Sequence, residues 1–403
     1  MSNLEEVIKK HIDQLSRVIG PRQSGSVGNH AAANYIEDQM RRFGVDVERQ
    51  TFACPDWRVE DVELTIAGRK IEALANAYSP SCDVTGDLVP ASTIAELELA
   101  DLSGRIAFLY GDLTRQPIAC KSWFLKEERD VRIVSLLEEK APLAVLTVQG
   151  LPNSVIRLIE DQEFSIPSAT LPNESALYVA NHLTEKIHLR IKTRQQEGET
   201  ANLVGRIPGK RPEVVVLCAH YDTKIDTPGA GDNAAGVAAL LALAETLAGT
   251  ALEVGVELIA FTNEEYLPIG DEAYLEGVGA DHLNDILLAV NFDGLGHILD
   301  ANSLAIYTSS AEFQSEVEEI KLGFPAFQWV EPWPQSNHST FSWRGVPALA
   351  ISSQLMSPYS HQHYDTADWV SPARVAEAVR LVTEVIKTVE NRPGKWLRSA
   401  LEK

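Results

Sequence analysis

Basic residues are scarce in this chain: 35 Lys and Arg stand against 57 Asp and Glu in 403 residues, a formal net charge of −22. Binding to phosphate needs a basic surface, so nucleic acid and anionic membranes are disfavoured as partners. Long apolar runs are absent as well. None approaches the roughly 18 residues that a membrane-spanning helix requires, and the opening MSNLEEVIKKHIDQL reads as a charged amphipathic helix, not a secretory signal. Cysteine is rare: Cys54, Cys82, Cys120 and Cys218 lie far apart, without metal-binding spacing. That usage fits reduced, mostly buried thiols and predicts a cytoplasmic protein. The chain has neither the Gly-x-Ser-x-Gly elbow of serine hydrolases nor the His-Glu-x-x-His zinc motif. It has no internal repeat and no low-complexity stretch.

What remains is globular, with 45% hydrophobic and 23% charged residues. The length exceeds one ordinary core, which predicts a large domain with a smaller one. Residues 4–18 and 30–43 read as helices, with apolar side chains near a 3.6 period. Residues 45–52 and 59–73 read as extended, the second stretch turning at Ala67-Gly68. Between about 82 and 197 come short apolar strands (106–110, 143–148, 168–171), none followed by a cluster of His or carboxylates. These predict an inserted, mainly β domain over 81–197, while 1–80 and 198–403 build the larger domain. The fold class expected there is α/β, a mixed, mostly parallel central sheet flanked by helices. A last helix is expected over 372–389.

Chemistry concentrates in 214–236, VVVLCAHYDTKIDTPGAGDNAAG. An apolar, β-branched run reads as a strand buried on both faces, and it ends abruptly in His220, Tyr221 and Asp222. After a Gly/Pro-rich loop come Asp232 and a helix rich in Ala and Leu. The strand at 255–261 ends in Thr262-Asn263-Glu264-Glu265, and the strand at 286–292 ends in Asp293-Gly294. A fourth buried strand, 347–352, leads to His361 and His363. Open α/β sheets place their sites at the carboxyl ends of strands, and a solvated charge run would not respect strand ends so consistently. His220, Asp232, Glu265, Asp293 and one tail histidine would suit two zinc ions that share a bridging carboxylate. Such a pair activates a water and clamps the tetrahedral intermediate. Glu264 suits a general base, and Asp222 could accept the second ring N–H of His220.

The set HYD…GDNAAG…NEE…NFDG…SNHSTF…HQHYDT resembles the co-catalytic di-zinc exopeptidase family of bacterial aminopeptidases and glutamate carboxypeptidases. The likeness covers 201–389 and, less fully, the N-terminal helices. Within the insert, GRIAFLYGDL, a helix and APLAVLTV resemble a protease-associated domain. The resemblance implies His220 and Asp293 on one zinc, Glu265 and His361 on the other, Asp232 as bridge and Glu264 as base. It selects His361 over His363 because the family spacing, His then three residues then Asp-Thr, is met by His361 with Asp365-Thr366. It also implies a cis peptide after Asp232. His338, Tyr359 and His363 stand as candidate substrate contacts. Two segments depart from the family pattern: Ser336-Asn337-His338, where Ser-Asp-His is usual, and YLPIGDEAYL after Glu265. The activity implied is release of N-terminal residues from peptides, with cobalt or manganese as substitutes for zinc. A carboxypeptidase or dipeptidase on the same scaffold is the alternative, disfavoured because only Lys224 and Arg344 lie near the motifs. An inactive binding protein of this fold should have lost ligands or the base, and none is lost. Homo-oligomerisation is left open.

Overall fold

The polar edge of the sheet exists because the strands behind it are almost wholly apolar. Every residue of Gly255–Phe261 and Ile286–Phe292 is buried, as are all of Val214–His220 except Val214. A computed structural model describes residues 3–123, 125–150 and 155–398. Its larger sheet has ten strands. The order along it runs Gln328–Trp329, Ser303–Tyr307, Ala348–Ser352, Ile286–Phe292, Val214–His220, Gly255–Phe261, Ile187–Ile207, Asp46–Ile66 and Arg69–Ile71, with Cys82–Gly86 paired to Ile187–Ile207. The four central strands are mutually parallel, and antiparallel pairs flank them. A mixed α/β fold is therefore present, as expected.

The helix Ala235–Leu247 is apolar nearly all round, which calls for burial on every side. It packs against Val214–His220 and beneath Asn3–Asp13 and Pro372–Glu390. Leu240, Leu241 and Leu243 are fully buried there, each contributing roughly 1.5–3 kcal/mol by removal from water. The long helix Pro372–Glu390 begins at Pro372 because Ser371 caps it and proline suits the first helical position. The helix expected over 30–43 starts earlier, at Val27, because the Ser26 side chain accepts the Asn29 N–H and caps it there. No helix among the described residues is long and apolar enough to cross a membrane.

The chain divides into two units, Met1–Cys54 with Glu199–Lys403, and Pro55–Gly198. The first boundary therefore lies at 54/55 and not near 80. Residues 46–66 form one continuous strand instead of two, turning at Ala67-Gly68 into Arg69–Ile71. Past Cys54 the contacts belong to the second unit: Trp57 Nε1 donates to the Ser79 carbonyl at 3.0 Å, and Leu74–Ala75 pairs with Ser168–Thr170. The second unit is also less purely β than expected. Three of the pairings in its five-stranded sheet are parallel, and parallel neighbours need crossover connections. The helix Glu128–Lys140 supplies one, between Ile106–Leu109 and Ala144–Thr147.

Candidate metal centre

Polar residues begin where the central strands stop. His220 closes Val214–His220, Glu264 and Glu265 follow Gly255–Phe261 after two residues, and Asp293 follows Ile286–Phe292 directly. The parallel register pairs His220 with Phe261 and Cys218 with Asn291. The strands thus end level, at the edge where α/β sheets bind ligands. His361 arrives from the loop after Ala348–Ser352, whose Ile351 pairs with Phe292. Asp232 stands just ahead of the helix Ala235–Leu247, and its bond to Asn233 is cis, as expected.

These side chains converge. His220 Nε2 lies 3.2 Å from Asp232 Oδ1, 3.3 Å from Asp293 Oδ1 and 3.9 Å from Glu264 Oε2. His361 Nε2 lies 3.2 Å from Asp232 Oδ2 and 3.2 Å from Glu265 Oε2. Each imidazole therefore faces a different oxygen of Asp232. Zinc bonds of about 2.0–2.1 Å in a tetrahedron put neighbouring donors about 3.3 Å apart, which is how far each imidazole nitrogen stands from its two carboxylate oxygens. His220, Asp232 and Asp293 could hold one ion, and Asp232, Glu265 and His361 another. The donors are imidazole nitrogens and carboxylate oxygens only, a set that accepts zinc, cobalt or manganese.

Five carboxylates, Asp222, Asp232, Glu264, Glu265 and Asp293, gather around two imidazoles at this edge. Burial pushes the Glu264 carboxyl well above its ordinary value, with Asp293 and Glu265 adding to the effect against His220. Burial likewise raises Glu265, helped by Asp232. Asp232 is held low in spite of its burial because both imidazoles bond to it. Carboxylates packed this closely out of water are costly unless positive charge joins them.

Around the donors lies a layer of backbone contacts. Asp222 accepts the N–H of Glu264 through Oδ1 and that of Glu265 through Oδ2, both at 3.2 Å. His220 Nδ1 is 3.3 Å from the Asp222 backbone carbonyl and 3.6 Å from its carboxylate. The ring nitrogen therefore faces the main chain more closely than the side chain expected for it. Asn233 Nδ2 donates to the Phe292 carbonyl at 2.7 Å, and Asn233 Oδ1 accepts the Gly236 N–H at 3.0 Å. A Cβ at Gly236 would sit 2.2 Å from that Oδ1 and 2.6 Å from the Phe292 carbonyl oxygen, so only glycine fits. The Lys224 ammonium bonds the Glu265 carbonyl and sits 4.1 Å from the centre of the Tyr266 ring. Arg344 donates to the Thr340 carbonyl at 2.9 Å.

The remaining candidates fall outside both donor groups. His338 is fully buried, with Nε2 2.9 Å from the Trp333 carbonyl and Nδ1 3.5 Å from Asn291 Nδ2. Both of its nitrogens face protein, the arrangement of a structural histidine. Tyr359 packs among His297, Trp369 and Tyr364. His363 is exposed, its ring edge-on to Tyr364. Sequence reasoning missed Asn233, Arg22 and Asp365 as supports of the site. Asn233 and Asp365 sit inside the quoted motifs, so their positions were a signal; Arg22, far upstream in a Gly/Ser loop, gave none.

Residues 202–386 match the model of peptidase family M28. Aminopeptidase YwaD of Bacillus subtilis is 26% identical over 392 residues, covering 93% of this chain and 82% of that protein. A probable leucine aminopeptidase 2 of Aspergillus oryzae is 24% identical over 319 residues, 74% of this chain and 61% of that protein. The crystal structure of a zinc aminopeptidase from Bacillus subtilis superposes with a TM-score of 0.81 at 22% identity, over 99% of this chain and 98% of that one.

Proposed function

We propose that this chain, whose residues 202–386 match the model of peptidase family M28, is a zinc-dependent aminopeptidase that removes N-terminal residues from peptides. One observation carries the reading: Asp232 turns one oxygen to His220 and the other to His361, the geometry required of a carboxylate shared by two ions. On this reading His220, Asp232 and Asp293 hold one zinc, and Asp232, Glu265 and His361 hold the second. Ions held there would supply Lewis-acid chemistry to the scissile carbonyl and to a water.

The chain's own groups do the rest. Glu264, beside the donors with Oε2 3.9 Å from His220 Nε2 but in neither donor group, takes the proton from the attacking water and returns it to the leaving amine. Asp222 holds Glu264 and Glu265 by their backbone N–H groups, fixing base and ligand relative to each other. The carboxylates that face the cleft favour a free α-ammonium over a carboxylate terminus. The cations named around the motifs are committed to backbone carbonyls: Lys224 to Glu265, Arg344 to Thr340 and the buried Arg22 to Pro228 and Gly229. That weighs against a carboxypeptidase or dipeptidase.

The second unit reads as protease-associated-like, on the succession of strand Ile106–Leu109, helix Glu128–Lys140 and strand Ala144–Thr147. A cytoplasmic location is supported by four cysteines, all free. The decisive experiment is a panel of aminoacyl arylamides beside N-blocked peptides, with metal analysis of the same sample. Cleavage of the free-amine substrates alone, with two zinc per chain, is expected. Preference for blocked peptides with a free carboxyl end would sink the aminopeptidase assignment.

A further inference from the structure

The loop that delivers Asp232 is held from two sides by groups that carry opposite charge and take opposite halves of its peptide units. Arg22 is fully buried. Its guanidinium donates to the carbonyls of Pro228 at 2.8 Å and Gly229 at 2.7 Å. The same group also donates to the carbonyls of Tyr221, Leu15 and Gly20, at 2.8, 3.1 and 3.0 Å. Asp365, equally buried, takes the donors of the next residues: Oδ1 accepts the Gly231 N–H at 2.8 Å and Oδ2 the Asp232 N–H at 3.1 Å. Its backbone carbonyl accepts the Ala230 N–H at 3.2 Å. From 228 to 232, then, each peptide group is fixed in turn by one of these two residues. Little room is left for adjustment, since a Cβ at Gly229 would lie 2.2 Å from Thr223 Cγ2 and 2.9 Å from the guanidinium.

We propose that Arg22 and Asp365 form a preformed clamp on residues 228–232, and that this clamp, acting through backbone only, holds Asp232 so that its two oxygens reach the two donor groups at once. Both are positioning residues, because neither touches the reacting atoms. Asp365 lies four residues past His361 in the same loop, so the clamp also ties the loop that bears one imidazole to the loop that bears the shared carboxylate. The inference rests on the dinuclear reading above and adds that affinity at both ion sites depends jointly on these two remote side chains.

Charge and geometry make opposite predictions at Arg22, which makes the test sharp. Removing a buried positive charge near a cation site should strengthen metal binding if charge were all that mattered. Loss of the clamp should weaken it. Calorimetric titration of metal-stripped protein with zinc should give two ions for the wild type. For Arg22→Gln, Arg22→Lys (charge kept, fork geometry lost) and Asp365→Asn, both dissociation constants should rise at least tenfold together. Tighter or unchanged binding in Arg22→Gln, or weakening of one ion only, overturns the clamp while the dinuclear reading stands. Fewer than two ions in the wild type overturns the dinuclear reading itself. Hydrogen exchange on the metal-stripped wild type needs no variant to fold. The amides of Gly231 and Asp232 should be protected before zinc is added, and protection that appears only with zinc would show that the ions, not the clamp, order the loop.

Discussion

Asp222 accepts the backbone N–H of Glu264 at 3.2 Å, and its second oxygen does the same for Glu265. One buried carboxylate at the end of the His220 strand therefore sets where the base and a metal ligand of the neighbouring strand emerge.

Asp222→Asn turns one of those acceptors into an NH2 group facing an N–H. Outer groups of this kind typically change activity or metal affinity by about 10–100-fold. Here kcat should fall within that range while zinc stoichiometry stays at the wild-type value. Steady-state kinetics paired with elemental analysis of the same preparation decides it, and a fully active variant would remove Asp222 from this role.

Glu264→Gln keeps shape and hydrogen-bonding capacity but cannot carry the proton. General acid–base groups typically contribute about 10²–10⁴-fold, so kcat should drop by at least 10²-fold with both ions retained. Turnover close to that of the wild type would mean that another group is the base.

Asp232→Ala should lower occupancy at both ion sites together, because each imidazole faces one of its oxygens. Asp293→Ala and Glu265→Ala should each weaken a single ion. Metal analysis after dialysis against limiting zinc separates these patterns; loss of one ion only from Asp232→Ala would dismiss the shared carboxylate.

Acid lability away from the site should centre on His11. Burial, aided by Lys10, lowers its pKa from 6.5 to about 4. Its Nδ1 bonds Tyr35 at 2.7 Å, and its Nε2 is buried without a partner. A base with a depressed folded pKa binds fewer protons folded than unfolded between these values. Its contribution is thus intact above pH 6.5 and is lost as the pH falls toward 4. By linkage this amounts to roughly 3 kcal/mol. Denaturant titrations at pH 7 and pH 4 should show wild type losing about that much more stability than His11→Leu, and equal losses would exclude the mechanism.

Much of the site was legible in sequence because its donors sit at fixed offsets from strand ends. The apolar runs before His220, Glu264 and Asp293 announce the strands, and the polar residues after them can only emerge at the edge. Asp222 was legible in part: its place two residues past His220 was plain, but its carboxylate turned out to serve two amides of another strand. His338 was legible only as a histidine in a motif, since its burial beneath Tyr307 and Trp333 depends on packing. The domain boundary was misplaced because a continuous strand, Asp46–Ile66, carries the chain across it, and strand periodicity does not change at such a crossing.

By itself the sequence determined the donor chemistry, the parallel core and the order in which strand ends present acid and imidazole, because side-chain type and hydrophobic period are local properties. Only the tertiary structure decided which oxygen of Asp232 faces which imidazole, and that Arg22 and Asp365, 343 positions apart by 365 − 22, hold one loop. Hydrogen bonds at such sequence separation depend on how the strands, helices and loops have packed, and no local pattern encodes that.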